Sequence, residues 1–403
     1  HWPYSICCCF VHFSEIQAKI PRVRNTLTDI SFARSRSSPI LSVHKELDAE
    51  FFIWNQMITS KSYGHGVMSE HFAIRQSAGL TDMSGIKKIW VKGKAAQEVL
   101  DFTITRDCSK IYPGSAAYAA LLDENGYLVD DVIVFHLTPQ ECERYNASWL
   151  ICFGAGLGVD YFARSLPGKQ VEARSDDNTA CLMLQGPDAE TLLTNVVLAS
   201  APALTPARLK RFEHGLFSIQ NSEVMIARTS YSGEDGFEIF AGREDAKKIW
   251  NIFATLGALP VGFDAIDIAR IEAGLLFFGK DMTGVETPTE LGLDFIVDFS
   301  KRNFRGKTGL QKKSQKPRFK TVGLALDGFA PLSGKASVWI SGVLAGSVSS
   351  HATSAWLGKT VAIAQIKSDL ATNGREINVF DEGFFATEGC TGVVCPRKFY
   401  TNV

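Results

Sequence analysis

Two places in the chain put carboxylates where they could hold or move a proton. The first is Arg228-Thr229-Ser230-Tyr231-Ser232-Gly233-Glu234-Asp235-Gly236-Phe237-Glu238-Ile239-Phe240. Two glycines frame a turn rich in acids and hydroxyls, and a strand-like run follows it. Side chains alternate faces along a strand, so Phe237 and Ile239 point into a core while Glu238 points the other way. A carboxylate held on a strand just past a turn, near an aromatic face, suits a flat heterocycle that bears N–H donors. An acidic, solvated hairpin loop is the competing reading.

The second place is Asp130-Asp131, which leads into Val132-Ile133-Val134-Phe135. Alternation sends one of the two inward and the other outward. An inward acid among apolar strand residues is costly unless it is hydrogen-bonded or functional. Like charges so close raise the pKa of one of them and favour proton shuttling. Against this, the two acids could simply finish a turn.

Several elements would have to position these groups. His71-Phe72-Ala73-Ile74-Arg75 with Ala78 and Leu80 has helical spacing, with Gly79 closing the helix. Residues 85–93 read as a strand and 94–102 as a short helix. The unit Trp90-Val91-Lys92-Gly93-Lys94-Ala95-Ala96-Gln97-Glu98-Val99-Leu100 recurs as Met183-Leu184-Gln185-Gly186-Pro187-Asp188-Ala189-Glu190-Thr191-Leu192-Leu193. Each copy is an apolar strand, a glycine turn and a helix, and each is followed by a hairpin. The first hairpin turns at Asp123-Glu124-Asn125-Gly126, where Asn-Gly tolerates positive φ. The second turns near Asn221-Ser222. Two related halves facing one site follow from this repeat. Helices are expected over 244–256 and 264–274. Residues 319–403 read as short strands with frequent glycines, a small β-barrel or sandwich.

Composition narrows the function classes. The chain has 403 residues, is 45% hydrophobic and 21% charged, and carries a formal charge of −1. No global field favours nucleic acid or an anionic membrane, and no apolar run approaches the roughly 20 residues of a membrane helix. The densest basic run, Lys312-Lys313-Ser314-Gln315-Lys316-Pro317-Arg318-Phe319-Lys320, reads as a solvated linker. The nine cysteines are odd in number, dispersed, and form no CxxC pair, so neither a disulfide framework nor a zinc site is expected. Cys152 and Cys181 lie in apolar runs and read as core thiols. Residues 1–37 hold an arginine- and serine-rich stretch that resembles an organellar presequence. The first methionine is Met57, however, and the preferred reading is a disordered or artefactual leader.

Four blocks in order carry a family resemblance: Tyr118 with Asp123-Glu124-Asn125-Gly126-Tyr127-Leu128-Val129-Asp130-Asp131; Leu184-Gln185-Gly186-Pro187; Tyr231-Ser232-Gly233-Glu234-Asp235-Gly236-Phe237-Glu238; and Asp267-Ile268-Ala269-Arg270-Ile271-Glu272-Ala273-Gly274. Gly279-Lys280-Asp281, Thr287-Pro288 and Phe304-Arg305-Gly306-Lys307 follow. Together they resemble the folate-binding aminomethyltransferases, whose type member is the T-protein of the glycine cleavage system. The match is good over roughly residues 60–310 and weak in the tail.

The resemblance implies an α+β protein. Two related α/β lobes, about 38–175 and 176–310, and a C-terminal β-barrel at 319–403 after a basic linker at 311–318 would form a cloverleaf around a central channel. It implies a tetrahydrofolate cofactor. Glu238 would accept from the pterin N–H edge, and Tyr231 and Tyr118 would line the pterin and the reacting end. Arg270 would anchor the site by pairing with a carboxylate or the cofactor, and Asp131 would be the catalytic acid; no metal is implied. On the residues alone, Arg270 could as easily pair with Glu272 or Asp267. Departures concern the donor side. The family's Asn-Ala pair after the strand Trp149-Leu150-Ile151-Cys152 is replaced at Phe153 or Gly154, and its tail Thr-Ser-Gly becomes Ser349-Ser350-His351.

The expected activity is that of an aminomethyltransferase taking its one-carbon unit from a lipoyl carrier protein. The alternative is a tetrahydrofolate-dependent demethylase with a small S-, N- or O-methyl donor. Relatives that bind folate and assist iron–sulfur assembly carry a Lys-Gly-Cys-Tyr-x-Gly-Gln segment that is missing here, which disfavours that class. The expected compartment is the cytoplasm, or the mitochondrial matrix if residues 1–37 are a genuine presequence.

Overall fold

Strand alternation decides how the core is layered. In the strand Lys87–Lys92, Ile89 and Val91 face a different core from Lys88 and Trp90, and both faces are buried. The computed structural model describes residues 28–29, 36–198, 205–332, 336–381 and 389–401. Most of the expected leader therefore lies outside the described residues. The fold nevertheless begins before residue 38: Arg36–Ser37 pairs with Met57–Ile58, and the buried Arg36 donates to Asp177 and to the carbonyls of Asn55 and Gly85.

Three sheets carry the architecture, with a small three-stranded one beside them. The first has six strands in the order Thr28–Asp29, Glu172–Asp176, Lys87–Lys92, Trp149–Phe153, Leu128–His136 and Ser115–Leu122. The second has seven, in the order Val197–Leu198, His214–Ile219, Ser222–Ala227, Gly236–Gly242, Thr179–Gln185, Gly79–Asp82 and Leu259–Pro260. The tail closes into a six-stranded barrel that starts at Phe319–Leu326.

The outer faces of the two large sheets are covered by helices. The helix Ala96–Thr103 lays Val99 and Leu100 on Ile89, Val91, Val132 and Val134. The helix Arg243–Thr255 lays Ala246, Ile249, Trp250 and Phe253 on Leu182, Leu184, Phe237 and Ile239. The inner faces meet each other through Trp90, Phe135, Leu150 and Cys152 on one side and Cys181, Met183, Met225 and Phe240 on the other. The repeat seen in the sequence is real in backbone terms. Gly93 and Gly186 turn each strand into its helix at φ 123° and 129°. At both positions a Cβ would strike a carbonyl, that of Gln170 or of Ser77, so only glycine fits.

Three expectations need correction. The helix expected around residues 71–80 spans Val67–Gln76, and Gly79–Asp82 is a strand of the second sheet, paired with Thr179–Gln185. A cut of the chain near residue 175 therefore does not separate the two sheets. Leu80 looked helical because a fully buried strand is apolar at consecutive positions, which blurs periodicity. Finally, the basic run at 311–318 is no bare linker. Lys307–Ser314 is a helix, Lys313 donates to the Asn125 carbonyl, and Arg318 forks onto Glu290.

One buried cluster ties these parts together. Glu272, on the helix Phe263–Glu272, accepts from Arg75 Nη2 (2.6 Å), Arg75 Nε (3.0 Å) and His71 Nε2 (3.0 Å) on the helix Val67–Gln76. Its other oxygen accepts from Ser354 of the barrel. Burial opposes the charge on Glu272, but these donors outweigh it and hold the pKa below the usual value. The lowered pKa means the stabilisation is complete above the unfolded value of about 4.3 and fades as pH falls through the folded one. Glu272→Ala, which strands Arg75, is expected to cost about 3–5 kcal/mol, read as a lower denaturant midpoint. The conservative Glu272→Gln is expected to flatten the loss of stability between about pH 5 and pH 3; an unchanged acid profile would remove Glu272 from this role.

Candidate active site

Register places the first acid. Along Ser115–Leu122 and Leu128–His136, Ala120 stands opposite Asp131 and Tyr118 opposite Ile133. Tyr118 and Asp131 are thus diagonal neighbours on one face, and the Tyr118 hydroxyl donates to Asp131 Oδ2 at 2.9 Å. Asp130 lies opposite Leu121 on the other face, which is also covered: Asp130 is 0% exposed. Its oxygens accept from the N–H groups of Asp131 and Gly158, each at 3.0 Å. The acid expected to point outward is therefore sealed in. Burial raises the pKa of both, and repulsion between the two neighbouring acids adds to it.

The second acid is placed by the strand Gly236–Gly242, where Glu238 pairs with Met183 and with Ala227 on the inner face. Thr229 Oγ1 donates to Glu238 Oε2 at 2.7 Å. No other hydrogen bond or ion pair reaches this carboxylate among the described residues, and burial pushes its pKa up. Acceptor capacity is left over on a group that is costly to bury unpaired.

A cavity of about 480 Å³ opens between the two inner faces and is lined by Asp131, Tyr118, Tyr231 and Glu238 together. Its volume falls within the range of roughly 300–1,000 Å³ typical of small-molecule sites. Tyr231 presents its ring to the cavity while its hydroxyl donates to the Leu276 carbonyl at 2.7 Å. Much of the remaining wall is aromatic or aliphatic, with Trp54, Phe153, Phe277, Phe278 and Phe295. At one end it shares Arg106, Arg211 and Phe212 with an adjoining hollow of about 340 Å³. No cluster of three or more metal-ligating side chains occurs among the described residues.

Arg270 is not brought to this wall. Its buried guanidinium pairs with Asp281 and with Asp267 Oδ1 (2.8 Å), and donates to the Leu275 carbonyl and to Ser350. Asp281 in turn accepts from the Phe277 N–H and from Ser349. Arg270 thus pairs with carboxylates and braces the segment 274–278, which forms part of the wall. Ser349 and Ser350, read as possible substrate-facing departures, serve this brace instead.

Arg397 was not foreseen. It reaches the cavity from the C-terminal tail and donates to the carbonyls of Leu291 and Gly292. Nothing in the spacing of Pro396-Arg397-Lys398 distinguishes it from a surface basic pair. The departure at Phe153 or Gly154 was, by contrast, visible in the sequence. A Cβ at Gly154 would lie 2.5 Å from Asp131 Oδ1 and 2.8 Å from Asp130 Oδ1, so the carboxylates occupy space that a side chain would claim.

Residues 40–301 match the family described as the GCVT N-terminal domain, and residues 320–400 match the glycine cleavage T-protein C-terminal barrel domain. The chain is 35% identical over 357 residues to the heme-dependent oxidative N-demethylase gamma subunit of Ectopseudomonas mendocina, covering 85% of this chain and 92% of that protein. It is 32% identical over 340 residues to the aminomethyltransferase of Rubrobacter xylanophilus, covering 82% and 87%. Among solved structures, the glycine cleavage system aminomethyltransferase T from Bartonella henselae superposes with a TM-score of 0.80 at 25% identity, covering 91% of this chain and 98% of that one. With both family domains matched in order along the chain, and the fold shared over nearly its whole length, this protein belongs to the glycine cleavage T-protein family of aminomethyltransferases.

Proposed function

We propose that this protein is a tetrahydrofolate-dependent one-carbon transferase of the aminomethyltransferase type, with Asp131 as its acid and Glu238 as the group that grips the pterin. The observation that carries this reading is that both carboxylates line one largely apolar cavity. Tetrahydrofolate fits the residues present. Glu238 has unused acceptor capacity, Tyr231 offers a ring face, and the cavity is large enough for a small heterocycle. When bound, the cofactor would supply the nitrogen that accepts the one-carbon unit.

The protein's own contribution is positioning and proton control. Glu238 accepts N–H donors and fixes orientation, held in place by Thr229. Tyr118 holds Oδ2 of Asp131, leaving Oδ1 to give and take a proton. Burial keeps that proton on Asp131 to higher pH than on an ordinary carboxylate, as general acid chemistry near neutrality needs. The aromatic wall excludes water, which strengthens each of these interactions.

The donor is the point on which a second reading deserves a place. Similarity to an N-demethylase subunit, together with the loss of the T-protein asparagine at Phe153 or Gly154, supports a methylamine-derived donor as the alternative to an aminomethyl-lipoyl one. Either version involves a protein partner: a lipoyl carrier in the first, an oxidising subunit in the second.

Glu238→Ala is expected to weaken tetrahydrofolate binding by roughly 10- to 100-fold, the worth of one charge-assisted bond, and Tyr231→Ala to weaken it by removing the ring face, each variant still unfolding cooperatively. Unchanged affinity in both, by equilibrium titration, would count against this orientation. Asp131→Asn is expected to bind tetrahydrofolate normally and lose turnover by roughly 10²–10⁴-fold; full turnover would take Asp131 out of the acid role. Assaying methyl- against methylene-folate formation over lipoyl-bound and methylamine-type donors separates the two readings.

A further inference from the structure

Asp130 has no place in the reading above. It does not line the cavity and is 0% exposed, yet a charged carboxylate sealed in a protein interior needs a reason. Its surroundings are specific. Gly154, Gly156 and Gly158 recur at every second position, and each would place a Cβ against the acid pair. At Gly156 the Cβ would lie 2.9 Å from Asp130 Cγ, and at Gly158 2.7 Å from Asp130 Oδ2. At Gly154 one Cβ would meet both Asp130 Oδ1 and Asp131 Oδ1. Side-chain-free backbone thus folds over the two carboxylates, and both Oδ1 atoms lie against the place where a Gly154 side chain would begin.

The charges facing the pair are few. Asp131 faces the hydroxyl of Tyr118, with Tyr231 farther off, and Asp130 faces Lys87 at a distance. No ion pair to either aspartate forms among the described residues. Two full negative charges in that setting would repel each other with little to offset them. One proton retained by the pair removes the conflict, and the two N–H bonds that Asp130 accepts, against the single hydroxyl bond to Asp131, favour leaving the charge on Asp130.

We propose that Asp130 and Asp131 form a dyad that carries one proton at neutral pH, with Asp130 as a positioning residue whose fixed charge keeps that proton on Asp131, facing the cavity. Asp131 delivers the proton to the departing donor group and is reprotonated by the one released from the accepting nitrogen, so Asp130 is unchanged over a cycle. The proposal rests on the role of Asp131 given above, but its first test does not need turnover.

Infrared difference spectra of the full chain labelled with [13C]aspartate, recorded against pH without ligand, are expected to show one protonated carboxyl at neutral pH. In Asp130→Asn that band is expected to titrate at a pH lower by about one unit or more, because removing the adjacent charge eases ionisation of Asp131. With donor and tetrahydrofolate, the alkaline limb of the rate profile should move the same way, while tetrahydrofolate affinity stays within about twofold. Asp131→Asn gives the reciprocal check should Asp130→Asn fold poorly: its spectrum should lose the protonated carboxyl altogether. A wild-type protein with no protonated aspartate at neutral pH, or variants that leave the band in place, would overturn the dyad. A normal band in a protein that fails to bind tetrahydrofolate would instead leave the dyad standing and sink the folate reading.

Discussion

Glu272 is the point through which separate parts of this protein are held to one geometry. Its carboxylate takes Arg75 and His71 from an early helix and Ser354 from the barrel, and its backbone carbonyl takes the N–H groups of Phe399 and Tyr400 in the tail. Arg75 continues outward to Glu234 and the Ser232 carbonyl in the turn before Glu238, and its guanidinium stacks 4.0 Å from the Tyr400 ring centre. Such a network is costly to assemble, since every ion in it gives up water, and it repays that cost only when complete. That dependence is what makes it an alignment device: moving any one part strands a buried charge.

The site depends on that alignment because its working groups come from different sheets. Asp131 and Tyr118 stand on the first, Glu238 on the second, and Arg397 arrives from the tail. Arg270 and Asp281 do for the wall what Glu272 does for the whole, fixing the segment 274–278 from behind. In both cases a buried ion pair holds an irregular stretch of chain that has no sheet ladder of its own. The cavity is therefore positioned largely by charges that never touch it.

Inside the cavity the balance is reversed. Glu238 and Asp131 are buried with hydroxyl partners and, among the described residues, no paired cation. Fully paired carboxylates would be stable and chemically silent; these are left short of partners, and their raised pKa values express it. The same interior therefore holds two kinds of buried acid, one neutralised to build the frame and one kept hungry to do chemistry.

Local chemistry made much of this legible in the sequence. Alternation told Glu238 from Phe237 and Ile239, the Asn-Gly turn set the first hairpin, and the repeated strand–glycine–helix unit announced two similar sheets. These are short-range effects, fixed by side-chain direction and allowed φ, and they act within a dozen residues. Which sheet Gly79–Asp82 would join, that Asp130 would be sealed rather than solvated, that Arg270 would face Asp281 and not the cavity, and that Arg397 would close the wall were decided only on folding. Each depends on what a distant segment brings to the same place, and burial, the quantity that turns an ordinary carboxylate into an acid or an anchor, does not exist until those segments meet.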